Sequence, residues 1–197
     1  MSSELTLEQV LKNAEEAEAC PKTLHYIRKK YRTLEEVKKD KDAPFWAYWY
    51  ACNVIQGRWP EAEEVIAKDL EWAYSYACDV IKGRWPEIED SIVRDPKWAC
   101  WYACDVIENC WPEAEKNIAK SPIWAYWYAR RVIKDRWPEA EKIIAKDPEW
   151  AYMYARDVIK GPWPEAEEVI VRYPEWAYRY ACDVIKGPWP EGGVKEL

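Results

Sequence analysis

The chain has 197 residues, 49% hydrophobic and 33% charged, which excludes a disordered polar chain and fits one compact domain or one repeat array. Its formal charge of −7 repels phosphate backbones, so nucleic-acid binding is not expected and a basic protein partner is. No apolar run reaches the roughly eighteen residues of a membrane span, and the N-terminus has neither the basic nor the apolar region of a secretory signal, so a cytoplasmic protein is expected.

In chain order, "TLEQVLKNAEEA" predicts a helix capped by Thr6. The segment that follows holds a basic cluster, Lys22, Arg28, Lys29, Lys30, Arg32, Lys38, Lys39 and Lys41, which reads as a solvated face. "TLEEV" resembles an eroded copy of the later "EAEEV", so residues 1–45 read as a divergent repeat serving as an N-terminal helical cap. His25, the single histidine, has no catalytic or ligand partner pattern around it and reads as a cap surface residue.

From Trp46 the chain repeats every 26 residues, restarting at Trp72, Trp98, Trp124 and Trp150, with a shortened copy at Trp176. Each unit predicts two short helices. In the copy around Trp150, Asp147 suits an N-cap and Pro148 the first helical turn, and Gly161 is expected to stop the helix in the left-handed conformation. The second helix opens at Pro164, with Glu165 and Glu167 in its first turn; Ala166 and Ile170 should face inward while Glu167 and Glu168 face water. In the first helix, Ala151, Tyr154, Ala155 and Val158 form one stripe and Tyr152, Ala155, Arg156 and Ile159 another, as expected of a helix covered on both sides. Hairpins too small to bury their own apolar faces stack. The fold class is therefore all-α: an α-solenoid over residues 46–197, with five full repeats and one truncated, behind the cap of residues 1–45. The last copy is expected to break at "WPEGGVKEL", where Gly192 and Gly193 oppose a helix.

One slot in the first helix changes from copy to copy: Trp49, Ser75, Trp101, Trp127, Met153, Arg179. A tightly packed core site would not accept all of these, so the slot is expected to be exposed. All other tryptophans fall at two fixed registers, such as Trp150 and Trp163, and read as core. Exposed tryptophans lined up on one surface are typical interface anchors. Trp49, Trp101, Trp127, Met153 and Arg179 are thus the candidate protein-binding residues, with Asp79, Asp105 and Glu108 making the face acidic.

Cys52, Cys78, Cys104 and Cys182 share a register, and neighbouring helices about 9–10 Å apart are too distant for disulfides between them. Cys100 and Cys104, even with Cys78 or Cys110 nearby, lack the paired loop motifs of a structural zinc site, so no metal is expected. Paired acids such as Glu61 and Glu63 recur in every full copy and read as helix-start electrostatics rather than an acid–base pair. The sequence shows no catalytic interruption of the repeat and no cofactor motif, so no enzyme is expected.

The elements Tyr50/Ala51, Val54/Ile55, Gly57, Trp59/Pro60/Glu61 and Ile66, repeated over residues 46–191, resemble the short tyrosine–alanine helical-hairpin repeats of phage and large-virus proteins, a group without a shared known function. That resemblance implies the hairpin fold and a viral source, hence host cytoplasm and, as an expectation, inhibition of a host defence or nucleic-acid-binding protein. Cys at the register of Arg130, and Trp in the variable slot, depart from the pattern and suggest a specialised surface; Ser91, Cys110 and Asn117 are drift expected of a natural array. Two other readings stand beside protein binding. Arg131, Arg156 and Arg179 with aromatic rings suit a nucleotide- or small-molecule-sequestering protein. A structural or assembly protein would use the same face for homo-oligomer contacts.

Overall fold

The computed structural model describes residues 5–187; "WPEGGVKEL", with its expected break, lies outside them. Among the described residues every regular element is helical, and the array of helical hairpins predicted from the period is present. Contacts group the chain into two compact units, Met1–Glu89 and Asp90–Leu197. No helix among the described residues is long and apolar enough to cross a membrane.

The first unit opens with α1 (Leu7–Glu16), whose Thr6 forms a reciprocal capping box with Gln9. Then come α2 (Pro21–Lys30) and α3 (Leu34–Val37), the latter capped by Thr33. The repeat begins with α4 (Ala43–Tyr50), α5 (Pro60–Ile66) and α6 (Leu70–Tyr76). Helix α4 packs on both α5 and α6, and the cap joins this first repeat: the Asn13 side-chain amide donates to the Tyr50 hydroxyl at 3.1 Å. The cap is therefore part of the first repeat's own core. Its basic residues are partly neutralised, Lys30 by Asp40 at 2.8 Å and Arg28 by Glu15 at 2.6 Å. His25 is exposed on α2.

Helix α7 (Pro86–Ile92) spans the boundary between units. The second unit continues with α8 (Pro96–Tyr102), α9 (Pro112–Ile118), α10 (Pro122–Tyr128) and α11 (Pro138–Ile144). Helices α12 (Pro148–Tyr154), α13 (Pro164–Ile170) and α14 (Pro174–Tyr180) complete it. In this unit α8, α10 and α12 each pack on their own second helix and on the first helix of the next repeat, as α10 does on α11 and α12. Alanines allow that approach: Ala99, Ala125 and Ala151 have no exposed surface, nor do Ile118, Ile144 and Ile170 behind them. Asp147 caps α12 as expected, accepting from the N–H groups of Glu149 and Trp150.

The ends of the first helices differ from expectation. Each continues into a five-residue π-type turn, such as Ala155–Ile159, and the residue after the turn is left-handed; Gly57, Gly83, Gly161 and Gly187 follow it in four copies, Asn109 and Asp135 in the other two. Lys160 has φ 61°, and Gln56, Lys82, Glu108, Lys134 and Lys186 are alike. The carbonyl of Ala155 accepts the N–H of Lys160 and also, at 3.2 Å, that of Gly161. The wider turn takes up one more residue than an α-helical ending, so the reversal falls on Lys160 and Gly161 needs no special φ.

Within each unit, tyrosines at two registers join neighbouring repeats. Tyr154 lies against Trp163 of its own repeat (ring centroids 5.1 Å), while its hydroxyl accepts the buried backbone N–H of Trp137 from the preceding one. That hydroxyl in turn donates to Glu141 at 3.1 Å, and Glu141 holds Arg136 through two 2.8 Å bonds. Tyr76 repeats the arrangement with Trp59, Glu63 and Arg58 in the first unit. Glu63, Glu115, Glu141 and Glu167, the second acids of their pairs, are therefore inter-repeat acceptors: Glu167, expected in water, accepts from Tyr180 at 3.0 Å and is half-buried. The other tyrosine, Tyr126, stacks on Trp150 of the next repeat (5.5 Å) and donates to Asp157 at 2.6 Å.

Candidate functional site

The Tyr–Asp link joins residues 31 apart: Tyr48 donates to Asp79, Tyr126 to Asp157 and Tyr152 to Asp183. At one junction both partners are replaced together. Cys100 stands at the tyrosine register and Arg131 at the aspartate register. With no tyrosine ring to stack on Trp124, the indole of Trp101 takes the place, edge-to-face at 6.3 Å. With no hydroxyl to accept, Arg131 turns to Asp105 (3.2 Å) and lies over the Trp101 ring at 5.1 Å. Its neighbour Arg130 lies over Trp127 at 5.5 Å and pairs with Asp157 at 3.2 Å. The second unit thus carries two half-exposed indoles, each under one of two consecutive arginines, at the one break in the Tyr–Asp pattern among these pairs.

Beneath it lie two thiols. Cys100 is buried, and its hydrogen bond to Cys104, aided by burial, pushes its pKa up. The same bond lowers that of Cys104, with Arg131 adding in the same direction. All seven cysteines are free thiols, and no cluster of three or more potential metal ligands occurs among the described residues.

The variable slot is half-buried from Trp49 to Met153; only Arg179 is exposed. The slot expected to be open is thus partly covered at Trp49, Ser75, Trp101, Trp127 and Met153. Trp101, Trp127 and Asp105 come together through Arg130 and Arg131. Trp49 does not join them: it lies in the first unit and lines an apolar cavity beside the cap. Asp79, also in the first unit, is taken up by the Tyr48 hydroxyl at 2.6 Å. Glu108 is exposed and occupies the left-handed position of its helix end, φ 55°. Arg179 pairs with Glu175 at 2.9 Å and lies over Trp176, and Arg156 is held by Asp157 and the Tyr152 hydroxyl. The arginines read as phosphate ligands are thus engaged by carboxylates, and the acidic face is neutralised at Asp105.

Sequence reading did not place Cys100, Arg130 or Arg131 on the protein-binding face; Arg131 entered only the nucleotide reading and Cys100 only as a rejected metal ligand. The signal was present in the paired loss of Tyr and Asp 31 positions apart, but that spacing has meaning only once the neighbouring repeats are seen in register. Comparison with protein-family models, curated proteins and solved structures found no match for this chain.

Proposed function

We propose that the chain is a non-enzymatic helical-repeat protein that binds another protein through the Trp101–Trp127 surface of its second unit. The observation that carries this reading is the arrangement of two half-exposed indoles under consecutive arginines where the Tyr–Asp pattern is broken. Trp and Arg are the residue types that most often dominate binding energy at protein interfaces, and a partially shielded ring needs little reordering to bind. Arg130 and Arg131 are already held by Asp157 and Asp105, so they present donors at fixed positions. With those charges balanced, the partner's contact is an apolar pocket rimmed by acceptors rather than a broad basic groove.

The test is capture from lysate on the immobilised chain, wild type against Trp101→Ala/Trp127→Ala. The wild type should retain a discrete partner and the variant should lose it while its helical circular dichroism is unchanged. Equal capture by a correctly folded variant would reject this surface.

A further inference from the structure

The first unit holds a cavity of about 150 Å³ between α1, α2, α4 and α5. Buried Leu11, Ala14, Leu24 and Val65 form its floor, and Trp46, Trp49 and Trp59 contribute an aromatic wall. Cys20 and Phe45 lie at its exposed rim. Protein interiors pack to the density of organic crystals and leave few voids larger than a water. Ordered water is a poor filler here, because it needs two or more polar partners. Of the hydroxyls in the lining, that of Tyr50 accepts from Asn13 and that of Thr23 is engaged with the Cys20 thiol. A cavity of roughly this volume lined by apolar side chains admits a benzene-sized molecule. Indole faces and edges favour another ring over a linear chain. An anion is disfavoured: Lys38, the cation of the lining, is paired with Glu35 at 2.6 Å.

We propose that this cavity is a binding site for a small uncharged hydrocarbon ligand about the size of one aromatic ring, seated against Trp46, Trp49 and Trp59. The variable slot then has two uses: Trp49 shapes a ligand pocket and Trp101 an outer surface.

Cys20 gives a direct readout. It caps α2, its thiol pKa is lowered by the backbone N–H groups of Thr23 and Lys22, and it lines the cavity. The full chain is titrated with toluene, and alkylation by N-ethylmaleimide is followed by peptide mass mapping. Toluene should slow labelling of Cys20 several-fold and leave the exposed Cys182 unchanged. Methyl NMR signals of Leu11, Ala14 and Leu24 should shift, and those of Ile118 and Ile144 should not. Benzoate, the same ring with a charge, should do neither. Val10→Trp, a substitution at a half-buried lining position, should abolish the toluene response. If that variant misfolds, the toluene and benzoate results on the wild type still decide. Unchanged Cys20 labelling, an equal effect of benzoate, or shifts spread through both units would overturn the proposal.

Discussion

The hydroxyl oxygen of Tyr154 lies 2.6 Å from the backbone nitrogen of Trp137 and accepts its N–H. Trp137 precedes Pro138, the first residue of α11, so its buried N–H has no helical carbonyl to bond. The following repeat supplies the acceptor. Tyr154→Phe keeps the ring against Trp163 and strands that donor, which should cost about 1–3 kcal/mol. Urea denaturation of the two proteins measures it; a change below a few tenths would show that solvent reaches the N–H.

The exchange at Cys100 and Arg131 predicts coupling. Cys100→Tyr alone has no carboxylate to accept its hydroxyl and competes with Trp101 for Trp124. Arg131→Asp alone removes the bond to Asp105 and adds a like charge beside it. Together they restore the link seen between Tyr126 and Asp157. A double-mutant cycle should give a favourable coupling of about 0.5–3 kcal/mol. Simple additivity would mean the two replacements are unrelated.

The helix ends invert the usual glycine expectation. Lys160, not Gly161, holds the left-handed conformation. Lys160→Gly should stabilise by about 1 kcal/mol, because it removes the side-chain penalty at positive φ. A Cβ added at Gly161 meets nothing within 4 Å, so Gly161→Ala should be neutral or stabilising by about 0.4–1 kcal/mol. Thermal melts of both variants check the assignment.

Stability should fall at both pH extremes. Arg136 holds the pKa of Glu141 below its ordinary 4.5, and Arg156, then Tyr126, hold that of Asp157 below 3.8. These groups add stability above those values that is lost as pH falls beneath them. Burial raises Tyr76 and Tyr126 from 10 to about 12, so their contribution is complete below pH 10 and lost as pH rises through about 12. Arg136→Gln should make the acid limb shallower, in denaturation midpoints measured across pH.

The period, the cap at Thr6, the helix starts at Asp147 and Pro148 and the buried alanines were legible because they depend on neighbours three or four residues away. The π-type endings were not, since nothing in "DVIKG" distinguishes a five-residue turn from a four-residue one. Glu167 read as solvated and Asp79 as part of an open acidic face because their tyrosine partners lie 13 and 31 residues away. Trp49, Trp101 and Trp127 shared a register, yet the cap surrounds the first of them with apolar side chains. Register fixed where each indole sits on its helix; what covers it is a property of the neighbouring element.

The most direct test is oxidative footprinting of the chain, free and bound to the partner it captures, read by peptide mass spectrometry. Binding should protect Trp101 and Trp127 and leave Trp49 at its free rate. Protection elsewhere with Trp101 and Trp127 unchanged would contradict the account.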